Sequence, residues 1–172
     1  MRKMILLVMA AILSSGGTIL AAADEGFAGT WKLDVGKSSM GEMYSDVVPD
    51  ITLALSMEGA KLTVRRIVAV MGMERSSLLV LTTDGKECVN DGESLKGLKS
   101  TCRLDGGKLK ISGEREGVRM TITGDAEPQT EHFSYHIEEE YSVAPDGKTL
   151  TVVQKMAMPE GDRAMTLVFN RA

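Results

Sequence analysis

With 172 residues, the chain is long enough for one domain with its own core and too short for two ordinary ones. Its 20 lysines and arginines are outnumbered by 24 aspartates and glutamates, and Arg65-Arg66 is the one adjacent basic pair beyond the N-terminus. That balance argues against nucleic acid or anionic lipid as a partner, since both demand clustered positive charge.

The N-terminus reads as an export signal. Arg2 and Lys3 precede an apolar run over residues 4–13, then Ser14, Ser15, Gly16 and Gly17, then Ala21, Ala22 and Ala23. Small residues at Ala21 and Ala23 suit a signal peptidase cutting before Asp24. A membrane-spanning helix needs about 20 apolar residues, so this run predicts cleavage rather than anchoring. No cysteine follows it to carry a lipid. The chain therefore divides into a signal peptide, 1–23, and a single domain, 24–172, expected in the periplasm or outside the cell. Loss of the signal leaves 18 basic against 24 acidic side chains, a net charge near −6.

From there, short stretches alternating apolar and polar residues at the period of a half-buried strand are separated by turn signals. The stretches are 30–35, 51–57, 61–70, 76–83, 108–112, 118–123, 132–143, 149–158 and 164–170. Between them lie Glu58-Gly59, Gly72, Asp84-Gly85, Asp91-Gly92, Asp105-Gly106-Gly107, Gly117, Gly124, Asp146-Gly147 and Gly161-Asp162. Asp-Gly is a strong hairpin signal because glycine accepts the positive φ of a tight turn. Only residues 36–50 leave room for a helical turn or a lid. A meander of hairpins has two costly edges, and closing it removes them. The expected fold is all-β, an antiparallel up-and-down meander closed into a barrel of about eight to ten strands.

Two cysteines follow the signal, Cys88 and Cys102. In an oxidising compartment an even count reads as a disulfide, and the intervening Asn90, Asp91, Gly92 and Gly97 can turn the chain back. Closing a loop of about 15 residues is worth roughly 3 kcal/mol. The spacing is not Cys-x-x-Cys, which argues against a redox pair. His132 and His136 lie on one face of a strand but about 13 Å apart, too far to share a metal, and read as surface residues. Glu138, Glu139 and Glu140 alternate faces. No Ser–His–Asp or acid/base motif emerges, so no catalytic residue is assigned.

Phe27-Ala28-Gly29-Thr30-Trp31-Lys32-Leu33-Asp34 opens the first strand with Gly-x-Trp, and the chain goes on through Lys37-Ser38, Asp84-Gly85-Lys86 and Pro145-Asp146-Gly147-Lys148-Thr149-Leu150-Thr151-Val152. This series resembles the lipocalins and their secreted bacterial lipocalin-like relatives. The resemblance implies a barrel with a mouth, of the kind that holds small apolar ligands. It also implies that Trp31 plugs the closed end under a basic residue from a late strand, with Arg171 the first candidate and Arg119 the second.

Inward-facing polar residues carry most information in a barrel. In 61–70 one face reads Leu62, Val64, Arg66, Val68 and Val70; in 132–143 it reads Phe133, Tyr135, Ile137, Glu139, Tyr141 and Val143; in 149–158 it reads Leu150, Val152, Gln154, Met156 and Met158. Arg66 and Glu139 thus point where their neighbours are apolar, and each must find the other, a ligand or water. One expectation is a pocket walled by Val64, Val68, Tyr135, Ile137, Tyr141, Val152 and Met156, with Gln154 nearby. Arg66 would anchor a ligand carboxylate there. The competing expectation is an internal Arg66–Glu139 ion pair.

Nine methionines remain after cleavage, with Met40 near Met43, Met71 near Met73 and Met156 near Met158. Thioethers select Cu(I), but no histidine or cysteine joins these pairs, and adaptable packing is the reading adopted. No metal or cofactor is assigned. Two functions stay open. The first is a non-enzymatic binding protein for a small hydrophobic or amphipathic molecule; the second is an interaction module with a solid barrel. An apolar cavity above about 300 Å³ separates them.

Overall fold

The computed structural model describes residues 26–44, 47–90, 97–121 and 129–172, so the expected signal peptide lies outside the described residues. Ten strands follow one another: β1 Gly29–Leu33, β2 Asp50–Glu58, β3 Lys61–Val70, β4 Met73–Thr82, β5 Asp84–Asn90, β6 Leu98–Asp105, β7 Lys108–Thr121, β8 Gln129–Val143, β9 Thr149–Met158 and β10 Gly161–Arg171. All pair antiparallel in one sheet, ordered β4-β3-β2-β1-β10-β9-β8-β7-β6-β5. It curls into a nearly closed barrel.

Sequence periodicity places the strands because alternate residues are the buried ones: Ile51, Leu53 and Leu55 on β2, Leu150, Val152, Gln154 and Met156 on β9, Met165, Leu167 and Phe169 on β10. Strands β3 and β9 match the expected bounds, and the space between β1 and β2 holds two short 3-10 turns, Val35–Lys37 and Gly41–Tyr44. This segment is tied to the barrel through Ser39, whose backbone exchanges two hydrogen bonds with Thr166 at 2.7 and 2.8 Å.

Two turn readings need correction. Gly117 does not end a strand: β7 runs straight through it, and a Cβ there would sit 2.3 Å from the Phe133 ring. The glycine serves close packing against β8 rather than chain reversal. Asp84-Gly85 opens β5 rather than forming a hairpin, with Thr83 the single residue linking it to β4, and these two strands do not pair. Instead β4 and β5 are the two ends of the sheet, and the barrel's seam runs between them. Asn90, 2% exposed, spans that seam. Its Oδ1 accepts the Val80 N–H at 3.1 Å, and its Nδ2 donates to the Leu98 carbonyl at 3.2 Å. One side chain thereby satisfies a backbone group on each side of the gap.

Closure comes from the chain ends, where β1 pairs β10 with Trp31 opposite Arg171. Trp31 is fully buried and donates its indole N–H to the Phe27 carbonyl at 3.0 Å. The Arg171 guanidinium lies 4.2 Å from its ring centroid and donates to the carbonyls of Gly147, Ala28 and Gly26 at 2.7 to 2.8 Å. Arg171 is thus the basic residue over Trp31. At Gly29, φ is 141° and a Cβ would lie 2.6 Å from Arg171 Nη1, so glycine is required on both counts.

Candidate functional site

The barrel interior has three layers. At the closed end, Trp31, Leu53, Leu62, Val64, Leu109, Tyr141, Leu150, Val152 and Phe169 form one apolar cluster, nearly all of it under 3% exposed. At the other end a smaller cluster of Ile137, Met156 and Met165 is packed by Met40, Tyr44, Tyr135 and Met158. Between them runs a polar belt. On β8 the inward series passes from Tyr141 through Glu139 to Ile137, and on β9 from Val152 through Gln154 to Met156. Strand pairing sets Glu139 directly opposite Gln154.

Glu139 is the centre of the belt, its side chain 1% exposed. Arg66 Nη2 donates to its Oε1 at 2.6 Å, Gln154 Nε2 donates to the same oxygen, and the Tyr141 hydroxyl donates to Oε2 at 3.2 Å. Arg66 Nη2 also reaches the Tyr141 oxygen at 3.2 Å. The structure therefore contains the internal ion pair, with Arg66, 24% exposed by side chain, on its more open side. Burial pushes the Glu139 carboxyl upward, but the Arg66 charge and hydrogen bonds outweigh it and hold its pKa below the ordinary value. Burial also raises the Tyr141 hydroxyl, helped by the adjacent carboxylate.

The other expected wall residues divide. Val64, Tyr141 and Val152 are packed into the closed-end cluster, whereas Tyr135, Ile137 and Met156 face the mouth side of the belt. Above the belt, inward-facing Val68, Val70 and Tyr135 are only partly buried, in contrast with the filled lower half. A hollow of about 340 Å³ opens at the mouth beside Met40, Gly41 and the β9–β10 hairpin, with Met156 and Met165 on its wall.

Arg115 belongs to the site and was not expected. It is 8% exposed on the inward face of β7 opposite Tyr135, and its Nη1 donates to Ser100 Oγ at 3.0 Å and to the Glu114 carbonyl at 2.7 Å. Gly113 makes this reach possible, since a Cβ there would lie 2.4 Å from Ser100 Oγ. The signal was the face Leu109, Ile111, Gly113, Arg115, Gly117, hidden by reading Gly117 as a turn.

Cys88 and Cys102 are unbonded thiols in the structure, the first partly buried and the second buried. Cys88 lies opposite Ser100 on β6, two residues from Cys102 and on the same inward face. Burial, with a smaller push from Cys88, drives the Cys102 thiol up to about 12.

On the outer face Ser112 Oγ lies 3.0 Å from His136 Nε2, and His136 Nδ1 lies 2.9 Å from Glu114 Oε1. The sequence reading placed His136 on the surface but missed its partners. Ser112 sits mid-strand, paired with Thr101 on one side and Glu138 on the other, so the sheet ladders take up the backbone N–H groups an oxyanion would need. A trough of about 410 Å³ lies beside it, lined by Arg103, Lys110, Glu138, Glu140 and Lys155. Among the described residues no group of three His, Cys, Asp or Glu side chains is placed to hold a metal.

No protein-family model matches the chain, and no curated protein does. Solved structures do match. The zebrafish ileal bile acid-binding protein complexed with cholic acid aligns at 12% identity over 86% of this chain and 99% of its own, with a TM-score of 0.53. A secretory abundant heat soluble protein from Ramazzottius varieornatus aligns at 14% identity over 86% and 96%, also at 0.53. Human cRBP IV aligns at 16% identity over 85% and 98%, at 0.51. At these identities the likeness is one of fold.

Proposed function

We propose that this chain is an exported, non-enzymatic binding protein that holds a small hydrophobic or amphipathic molecule in the mouth half of its barrel. The observation that carries the reading is the layered interior: a filled apolar base, a buried polar belt, and above it partly buried apolar side chains, with a hollow lined by Met156, Met165 and the charged Glu160, Asp162 and Arg163 at the mouth. Apolar area with a few placed polar groups is the usual composition of such a site. The similar fold of a zebrafish protein named for bile acid binding supports it. The filled lower half supports the rival reading, a solid barrel that meets a protein partner. Titration with a neutral solvatochromic dye, joined to native mass spectrometry of protein from its own host, separates them. Saturable one-to-one binding or a retained small molecule supports the pocket, and the absence of both sinks it.

Export rests on residues 1–23 and has its own test. Intact mass of the protein recovered outside the cytoplasm should correspond to a chain beginning at or near Asp24, and two hydrogens lighter than the dithiol form. The lighter mass reports a Cys88–Cys102 bond, for which the even cysteine count in an oxidising compartment argues. Free thiols titrating in unreduced protein, or peptides covering residues 4–13, would contradict the respective halves of this expectation.

A further inference from the structure

Among the described residues, the buried belt holds two guanidinium groups, Arg66 and Arg115, and one carboxylate, Glu139. Arg66, Arg115 and Glu139 lie within electrostatic reach of one another, and the carboxylate is already taken by Arg66, Gln154 and Tyr141. Among the described residues Arg115 has two acceptors, Ser100 Oγ and the Glu114 carbonyl, both neutral and both bound to its Nη1. Its Nη2 is buried without a hydrogen-bond partner among the described residues. Burial holds the Arg115 pKa below that of ordinary arginine although Glu139 is near, which marks the site as a poor one for an unpaired cation. A desolvated, half-paired guanidinium is costly, and the fold gains nothing from leaving Nη2 empty.

We propose that Arg115 is the anchor for the head group of a monoanionic amphipathic ligand, with a carboxylate as the chemical class. The assignment rests on the binding reading above and sharpens it. A carboxylate offers a planar pair of acceptors to a guanidinium, and a single negative charge balances the Arg66, Arg115 and Glu139 group. A neutral head leaves the excess charge in place; a dianion brings a second negative charge up to Glu139. Location agrees with this role. Arg115 lies one inward position nearer the mouth than Gly113 and two nearer than Ile111, which faces Glu139, so a head group descending from the mouth meets it before the closed belt. The tail then lies upward along Tyr135, Phe133, Val68 and Met158. Arg66, the anchor favoured by sequence alone, has Nη2 committed to Glu139 and Tyr141 and serves to hold the belt.

The test is a matched pair of probes, a long-chain fatty acid and the alcohol of the same chain length, each displacing the neutral dye. Wild type should bind the acid at least tenfold more tightly than the alcohol. Arg115→Gln should bring the two within about twofold of each other, chiefly by weakening the acid. Arg115→Lys should keep part of the preference, and provides the comparison if the glutamine variant folds poorly. Arg65→Gln, exposed on the outer face of β3, should leave the preference intact. Equal binding of acid and alcohol by wild type overturns this assignment alone, as does a preference that survives Arg115→Gln or disappears with Arg65→Gln. Failure of both probes and the dye to bind overturns the binding reading, and this one with it.

Discussion

Arg66→Ala should destabilise the barrel by about 3–5 kcal/mol, the cost of leaving a buried carboxylate without its partner. Glu139 has a side chain 1% exposed, so water cannot readily replace the guanidinium, and only Gln154 and Tyr141 remain to solvate the charge. A double replacement, Arg66→Met with Glu139→Leu, should recover most of the loss, because the pair's attraction largely repays its desolvation. Urea unfolding of the three proteins measures both effects. The pair also sets a pH dependence. Since the folded Glu139 pKa lies below the ordinary value, its contribution is fully present above the unfolded carboxylate pKa and is lost as pH falls through the folded one. An Arg66→Ala loss under about 1 kcal/mol would mean that the belt is hydrated from the mouth or repaired by Arg115.

A loss of similar size is expected at the closed end, for a different reason. Trp31→Ala removes the largest fully buried side chain, and large-to-small changes of this kind cost about 3–5 kcal/mol through lost transfer energy and the cavity left behind. The indole also holds the Phe27 carbonyl, and its ring lies beneath Arg171, which ties Gly26, Ala28 and Gly147 together. Thermal unfolding should show the drop, while Trp31→Phe should lose less because a ring still fills the plug. Because Trp31 lies in the apolar base and Arg115 nearer the mouth, a folded Trp31→Phe protein should keep the probe selectivity of wild type. Loss of selectivity without loss of stability would place the ligand at the wrong end.

The belt and Arg115 were unequally visible in the sequence. Strict alternation in β3, β8 and β9 aims Arg66, Glu139 and Gln154 inward, so the belt could be read from period alone. Arg171 over Trp31 was visible through the lipocalin resemblance. Arg115 was not, because Gly113 and Gly117 flank it, and glycine is as much a signal of close approach as of a turn. Nothing local distinguishes the two: Gly113 admits Ser100 and Gly117 admits the Phe133 ring, both from neighbouring strands. The seam was hidden likewise, since Asp84-Gly85 has the composition of a hairpin and only the β1–β10 pairing decides where the sheet ends. Ser112, His136 and Glu114 meet through register, which no single strand reveals.

That β1–β10 pairing has a kinetic consequence. Every other ladder joins neighbours in the sequence and can zip from a hairpin, whereas this one brings together Trp31 and Arg171 from opposite ends of the chain. The loop-closure entropy falls on a single step that earns nothing until the last strand is available. A chain emerging progressively from a ribosome or a translocation channel therefore stays two separate sheets, β1 to β4 and β5 onward, until its final residues are free, with the inward face of β1 and β2 exposed throughout. Folding should be slow at that step and most vulnerable to aggregation just before it, and truncation of even the last few residues should abolish closure rather than merely fray a terminus.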